Sequence, residues 1–226
     1  CKMKKIRKYL SLLLGLLVMG CSNVQHVETT HPRVFVFTDI NIDSGDPDDR
    51  QSLIHLLWYA NELDICGIVP DRWYAKGLEA CLLANEAYAK DYETYGFAQK
   101  GYPTAEQIEK LFAKDKEHAI EMFAQAAADN SRELYVLIWG NMEVFGEALR
   151  RHPNLSNNIR VITIATDLMT EEERPELPKH WEVTDLPCTQ YNWNGFGRNQ
   201  IFNDPRFKNM WWLEMNWTYQ GMFSGN

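Results

Sequence analysis

Residues 33–53 read RVFVFTDINIDSGDPDDRQSL, and the fold of the whole chain follows from how this stretch is read. Arg33-Val34-Phe35-Val36-Phe37-Thr38 is a continuous β-branched and aromatic run. Such a run, without polar alternation, marks a strand buried on both faces, as in a parallel sheet covered by helices. Asp39 stands at its carboxyl end, and Asn41 to Asp48 form a loop rich in Asp, Ser, Gly and Pro. Leu53, Leu56, Leu57 and Ala60 then recur at helical spacing, which predicts an amphipathic helix.

The same alternation continues outward. Leu63 to Val69 reads as a second strand ended by Pro70, and residues 77–95 as a helix broken by Gly96, Gly101 and Pro103. Ile108, Leu111, Phe112, Ala119, Met122, Phe123 and Ala126 lie on one stripe, which predicts a helix over 104–127. Leu134 to Trp139 is a third strand, Val144 to Arg151 a short helix and Ile159 to Ala165 a fourth strand. Strands and helices in turn predict an α/β fold, a Rossmann-like open and mostly parallel sheet with helices on both faces. Residues 166–226 read as loops, with one helix expected over Pro205 to Glu214. The chain stops at Gly225-Asn226 without a closing element, and is expected to be incomplete there.

The first twenty residues carry Lys2, Lys4, Lys5, Arg7 and Lys8 with no acid, followed by an apolar run from Leu10 to Met19. That pattern predicts an export signal too short to span a bilayer. Leu17-Val18-Met19-Gly20-Cys21 resembles a bacterial lipobox, which implies acylation at Cys21 and anchoring at a periplasmic or cell-surface membrane face. Residues 21–32 then serve as a tether, and 33–226 as one α/β domain. The net charge is −8, and without the leading cations the remainder is more acidic still. A body that acidic repels a phosphate backbone, so a nucleic-acid polymer is excluded as a partner. Cys66, Cys81 and Cys188 match no zinc spacing, and an odd number cannot all pair, so buried thiols are expected.

Ligands of open parallel sheets bind beyond the carboxyl ends of the strands. That rule selects Asp39 to Asp49, Pro70 to Trp73, Gly140 to Glu143, and Thr166 onward. The first of these holds Asp39, Asp43, Asp46, Asp48 and Asp49 within eleven residues. Carboxylates so crowded cannot all ionise without a counter-charge, and a hard divalent cation, Ca²⁺ above all, would supply it. A plainer reading makes Asp46 or Asp48 a helix cap and the rest a solvated turn. Trp73, Trp181, Tyr191 and Trp193 flank strand-end loops and could stack on a base or sugar, whereas Trp58, Trp139 and Trp211 read as core.

Thr38-Asp39-Ile40 and Asp46-Pro47-Asp48-Asp49-Arg50-Gln51-Ser52-Leu53 resemble the amino-terminal signature of the inosine–uridine nucleoside hydrolase superfamily. The closer likeness is to its bacterial nucleoside-hydrolase-like branch, some members of which are labelled cellulose-binding. It runs from about Arg33 to the last residue. The resemblance implies that Asp39 is both a Ca²⁺ ligand and the general base for the attacking water. It further implies that Asp49 is a second ligand, that Asp48 binds sugar hydroxyls, and that Asp71, Asn141 and Asn199 contact substrate. The loop between Asp39 and the Asp48–Asp49 pair is longer here than in the hydrolases, so Asp43 or Asp46 is an alternative ligand. Trp193, in the polar and aromatic run Asn192 to Arg198, is a further substrate-binding candidate, and His180 and Tyr191 are candidate leaving-group acids. The expected activity is Ca²⁺-dependent hydrolysis of a nucleoside or small glycoside by a chain that could form homo-oligomers. The rival is a surface lipoprotein that binds carbohydrate without cleaving it.

Overall fold

The computed structural model describes residues 31–43, 47–140, 142–164 and 198–215. They fall within one compact unit, His31–Asn226. Five strands form one sheet among the described residues: β1 (Arg33–Thr38), β2 (Asp64–Pro70), β3 (Leu134–Ile138), β4 (Ile159–Thr163) and β5 (Trp211–Glu214). Their spatial order is β2-β1-β3-β4-β5 and every pairing is parallel. All six residues of β1 are buried, as its apolar run requires.

The helices are α1 (Asp48–Leu57), α2 (Gly77–Thr94), α3 (Ala105–Glu109), α4 (Lys116–Ala128), α5 (Glu143–Arg151) and α6 (Arg198–Phe202). Successive side chains of β1 point to opposite faces, so one strand builds two cores. Val34 and Val36 pack with Leu53 and Leu57 of α1 and with Cys81 and Ala84 of α2. Phe35 and Phe37 pack on the other face with Phe123 of α4 and Phe145 of α5. These four rings meet at centroid distances of 5.3 to 5.8 Å, mostly edge to face, the arrangement that aromatic quadrupoles favour. Arg33 opens β1 as a buried cation. Its guanidinium donates to the carbonyls of Ala126, Asp129 and Arg132, where α4 ends. Ala126 lies in the last turn, whose carbonyls have no partner inside the helix, so the charge completes the end of α4.

Three sequence expectations are corrected. Residues 104–127 are two helices, because Leu111 to Ala113 leave the helical path to cover the outer edge of β2. The Ile68 amide donates to the Leu111 carbonyl and the Ala113 amide to the Ile68 carbonyl, at 2.8 and 2.9 Å. Asp115 then restarts the chain as the cap of α4, accepting from the His118 amide. Over 205–214, only Pro205–Phe207 makes a helical turn, of the 3₁₀ kind, and Trp211–Glu214 pairs with β4 as a strand. A proline-led turn with an aspartate cap carries a helix signal, but it lasts one turn before sheet pairing wins. Trp58 and Trp211 are not core: they are 41% and 43% exposed. The Trp58 indole donates to Asp91, and the Arg160 guanidinium lies over the Trp211 ring. Cys81 is buried and Cys66 half-buried, and neither is disulfide-bonded. No helix among the described residues is long and apolar enough to cross a membrane.

Candidate functional site

The sheet order places the site. From β1 the chain moves out to β2, then returns past β1 to β3 and onward to β4. The direction therefore reverses between β1 and β3, and the crevice of such a sheet opens beyond the carboxyl ends of those two strands. Asp39 follows β1 there, and Gly140 follows β3.

Register does the rest. Thr38 is level with Pro70 and Phe37 with Ile138, so the next residues of β1, β2 and β3 emerge side by side. The Trp139 amide donates to the Phe37 carbonyl and the Asp71 amide to the Thr38 carbonyl. A Cβ on Gly140 would stand 2.4 Å from Asp39 Oδ1, closer than any side chain can approach. Glycine at 140 is what allows the Asp39 carboxylate to lie against that backbone. The loop after β1 is held from both sides: the Ile40 amide donates to the Thr38 hydroxyl, and Asn41 Nδ2 donates to the Asp39 carbonyl.

Asp49, in the first turn of α1, is buried, and the side chains of Asp39 and Thr38 are near enough to act on its carboxyl. Burial is the largest cause that raises its pKa, followed by the hydrogen bond and charge of Asp39, and the result is about 9. Asp48 Oδ1 accepts from the Asp49 amide, and its charge also raises the Asp49 pKa. Asp71 is buried, and neither of its carboxylate oxygens has a hydrogen-bond partner among the described residues. Burial pushes its pKa well up, the Asp39 and Glu143 charges push the same way, and Arg72 opposes them. Arg72 Nη2 donates to Asp39 Oδ2 at 2.8 Å, with both side chains about three-quarters buried.

Asp49 lies within reach of the Asp39 side chain, and Asp71 within electrostatic reach of Asp39. Asp43, the alternative ligand, instead pairs with Lys76 at a half-exposed position. Trp73 anchors its loop by donating its indole N–H to the Ala113 carbonyl. Asp46, Asn141, Trp193, Cys21, His180, Tyr191 and the side chain of Asn199 lie outside the described residues. Arg72 and Gly140 were not anticipated as site members. Their signal was positional, since both sit in strand-end loops that the binding rule selects.

Among the described residues no three acidic, histidine or cysteine side chains already converge as a metal cage. The donors nevertheless fit a hard cation. Burial and the Asp39 charge both oppose ionisation of Asp49, and buried Asp71 has both carboxylate oxygens unsatisfied. An oxygen-preferring divalent ion answers both deficits.

No curated protein matches the chain. Among solved structures, an inosine-uridine preferring nucleoside hydrolase from Bacillus anthracis is similar at 16% identity and a TM-score of 0.40. That match covers 62% of this chain and 52% of the hydrolase, so the chain spans about half the length of that protein. The family described as "Cellulose-binding Sde182, nucleoside hydrolase-like domain" matches residues 33–222, from the first residue of β1 past the end of β5. The chain belongs to this nucleoside hydrolase-like family.

Proposed function

We propose that the chain binds a small glycoside or nucleoside beyond β1 and β3 and hydrolyses its glycosidic bond, with Ca²⁺ held by Asp39 and Asp49. The single observation that carries this reading is buried Asp71, with both carboxylate oxygens unsatisfied, beside Asp39 at the carboxyl ends of β1 and β2. Asp46 is a further proposed ligand. When bound, the ion would supply positive charge that orients sugar hydroxyls and makes a nearby water more acidic. Asp39 takes the proton of the attacking water as general base. The carboxylates around it stabilise positive charge on the sugar as the bond to the leaving group breaks. Asp48, Asp71, Asn141, Trp193 and Asn199 are the proposed substrate contacts.

One observation favours a second reading, carbohydrate binding without cleavage: the proposed base is already engaged by Arg72. The family's cellulose-binding description points the same way. Melting curves of wild type and Asp49→Asn, in calcium and in EDTA, test the ion. We expect an upward shift with calcium in wild type alone. Release of base from inosine or uridine, measured alongside, separates the readings. A calcium shift without release rules out hydrolysis of these nucleosides and favours the binder, and no shift in wild type sinks the metal site.

We also propose that the chain is exported and acylated at Cys21. Radiolabelled palmitate fed to bacteria expressing the full chain should label wild type and not Cys21→Ala. Equal labelling of both would rule the anchor out.

A further inference from the structure

We propose that Arg72 is a resident counter-ion of Asp39, which a divalent cation must displace, and that Arg72 thereby sets the cation affinity of the site. This rests on the calcium reading above, but it concerns a residue which that reading does not need.

The geometry around one carboxylate carries the inference. Gly140 closes on the Oδ1 side of Asp39, and the Arg72 guanidinium holds Oδ2 at 2.8 Å. A calcium ion binds carboxylate oxygen at roughly 2.3–2.6 Å. An ion on Oδ2 would therefore share that atom with a cationic guanidinium. Two cations on one oxygen repel, and in this three-quarters buried setting solvent screens them less than at the surface. Arg72 must leave for the ion to enter.

The main chain leaves only the side chain to move. The carbonyl of Arg72 accepts from the amides of Ala75 and Gly77 at 2.9 and 3.0 Å. A Cβ on Gly77 would meet that same carbonyl at 3.0 Å, so the turn is packed tight. Any departure of Arg72 from Asp39 is therefore a movement of its side chain, with the backbone fixed. The pair thus keeps Asp39 compensated when no ion is present, and it opposes the ion when one arrives.

The test is calcium titration of the full chain by calorimetry, using wild type, Arg72→Gln and Arg72→Lys, with melting curves across the same calcium range. Gln keeps much of the length without the charge, and Lys keeps the charge. Removing the competitor should tighten calcium binding by Arg72→Gln about tenfold or more, equivalent to about 1.4 kcal/mol. Arg72→Lys should stay near wild type. In EDTA, Arg72→Gln should melt lower than wild type, and calcium should raise its melting temperature by more. A variant that folds only with calcium is the same result in its strongest form. Equal or weaker binding by Arg72→Gln, with wild type still binding, overturns the counter-ion role and leaves the calcium site standing. Arg72→Gln that stays unfolded in calcium also overturns it. No binding by wild type or Arg72→Gln removes both ideas together.

Discussion

In EDTA, the urea midpoint of the wild-type chain should fall as pH rises from 5 to 9, and Asp49→Asn should flatten that decline. An unfolded Asp49 ionises near 3.8, whereas burial and the neighbouring Asp39 hold the folded group to about 9. Between those values the folded chain keeps a proton that the unfolded chain has lost, so stability drops with rising pH. The proton-linked contribution is whole below 3.8 and is lost as pH climbs through the folded value. For one proton the limiting slope is about 1.4 kcal/mol per pH unit. Asp71 acts with the same sign, since its pKa is also raised. Asn at 49 mimics the protonated acid, so at pH 8 in EDTA the variant should be more stable than wild type. Calcium should reverse that ranking by replacing the proton in wild type only. A level wild-type profile in EDTA would mean that Asp49 is not held in this environment.

Phe123→Ala should be the most damaging single change away from the site, costing about 3–5 kcal/mol. Phe123 is fully buried, and its ring meets Phe35, Phe37 and Phe145 at 5.5, 5.7 and 5.8 Å. Truncation leaves a cavity whose walls are two β1 rings and a helix ring, none of which can collapse without disturbing the sheet. Typical domains hold only about 5–15 kcal/mol in reserve, so the loss would be a large share. Leu83→Ala, at a 51% exposed position of α2, is the matched control and should stay within about 0.5 kcal/mol. Urea unfolding of the two variants decides the matter, and similar midpoints would contradict this account of the core.

The central fold was legible because buried parallel strands declare themselves locally. Arg33–Thr38, Leu134–Ile138 and Ile159–Thr163 are short apolar runs with helices between, and nothing distant is needed to read them. Asp39 and Asp49 were legible for a related reason, since both flank the one loop that leaves the first strand. What stayed hidden depends on register. Arg72 reaches Asp39 only because Thr38 is level with Pro70. Gly140 reaches it only because Phe37 is level with Ile138. No local pattern encodes such alignments. Trp211–Glu214 failed for the same reason: four residues carry too little periodicity to reveal a strand, and pairing with β4 makes it one. Leu111–Ala113 sat on a convincing helical stripe, yet edge pairing with Ile68 was worth more than another helical turn.

The central strand also fixes when the site can exist during synthesis. Arg33–Thr38 lies between Asp64–Pro70 and Leu134–Ile138, so its two neighbours leave the ribosome far apart in time. A nascent chain extended only to Pro70 offers Phe35 and Phe37 no cover from Phe123 or Phe145, and offers Asp39 no Gly140. Long-range parallel pairing is slow and exposes apolar surface while it waits. Asp39 and Asp49 therefore gain their full setting late, and a polypeptide stalled before β3 would present sticky, half-built sheet to chaperones and proteases.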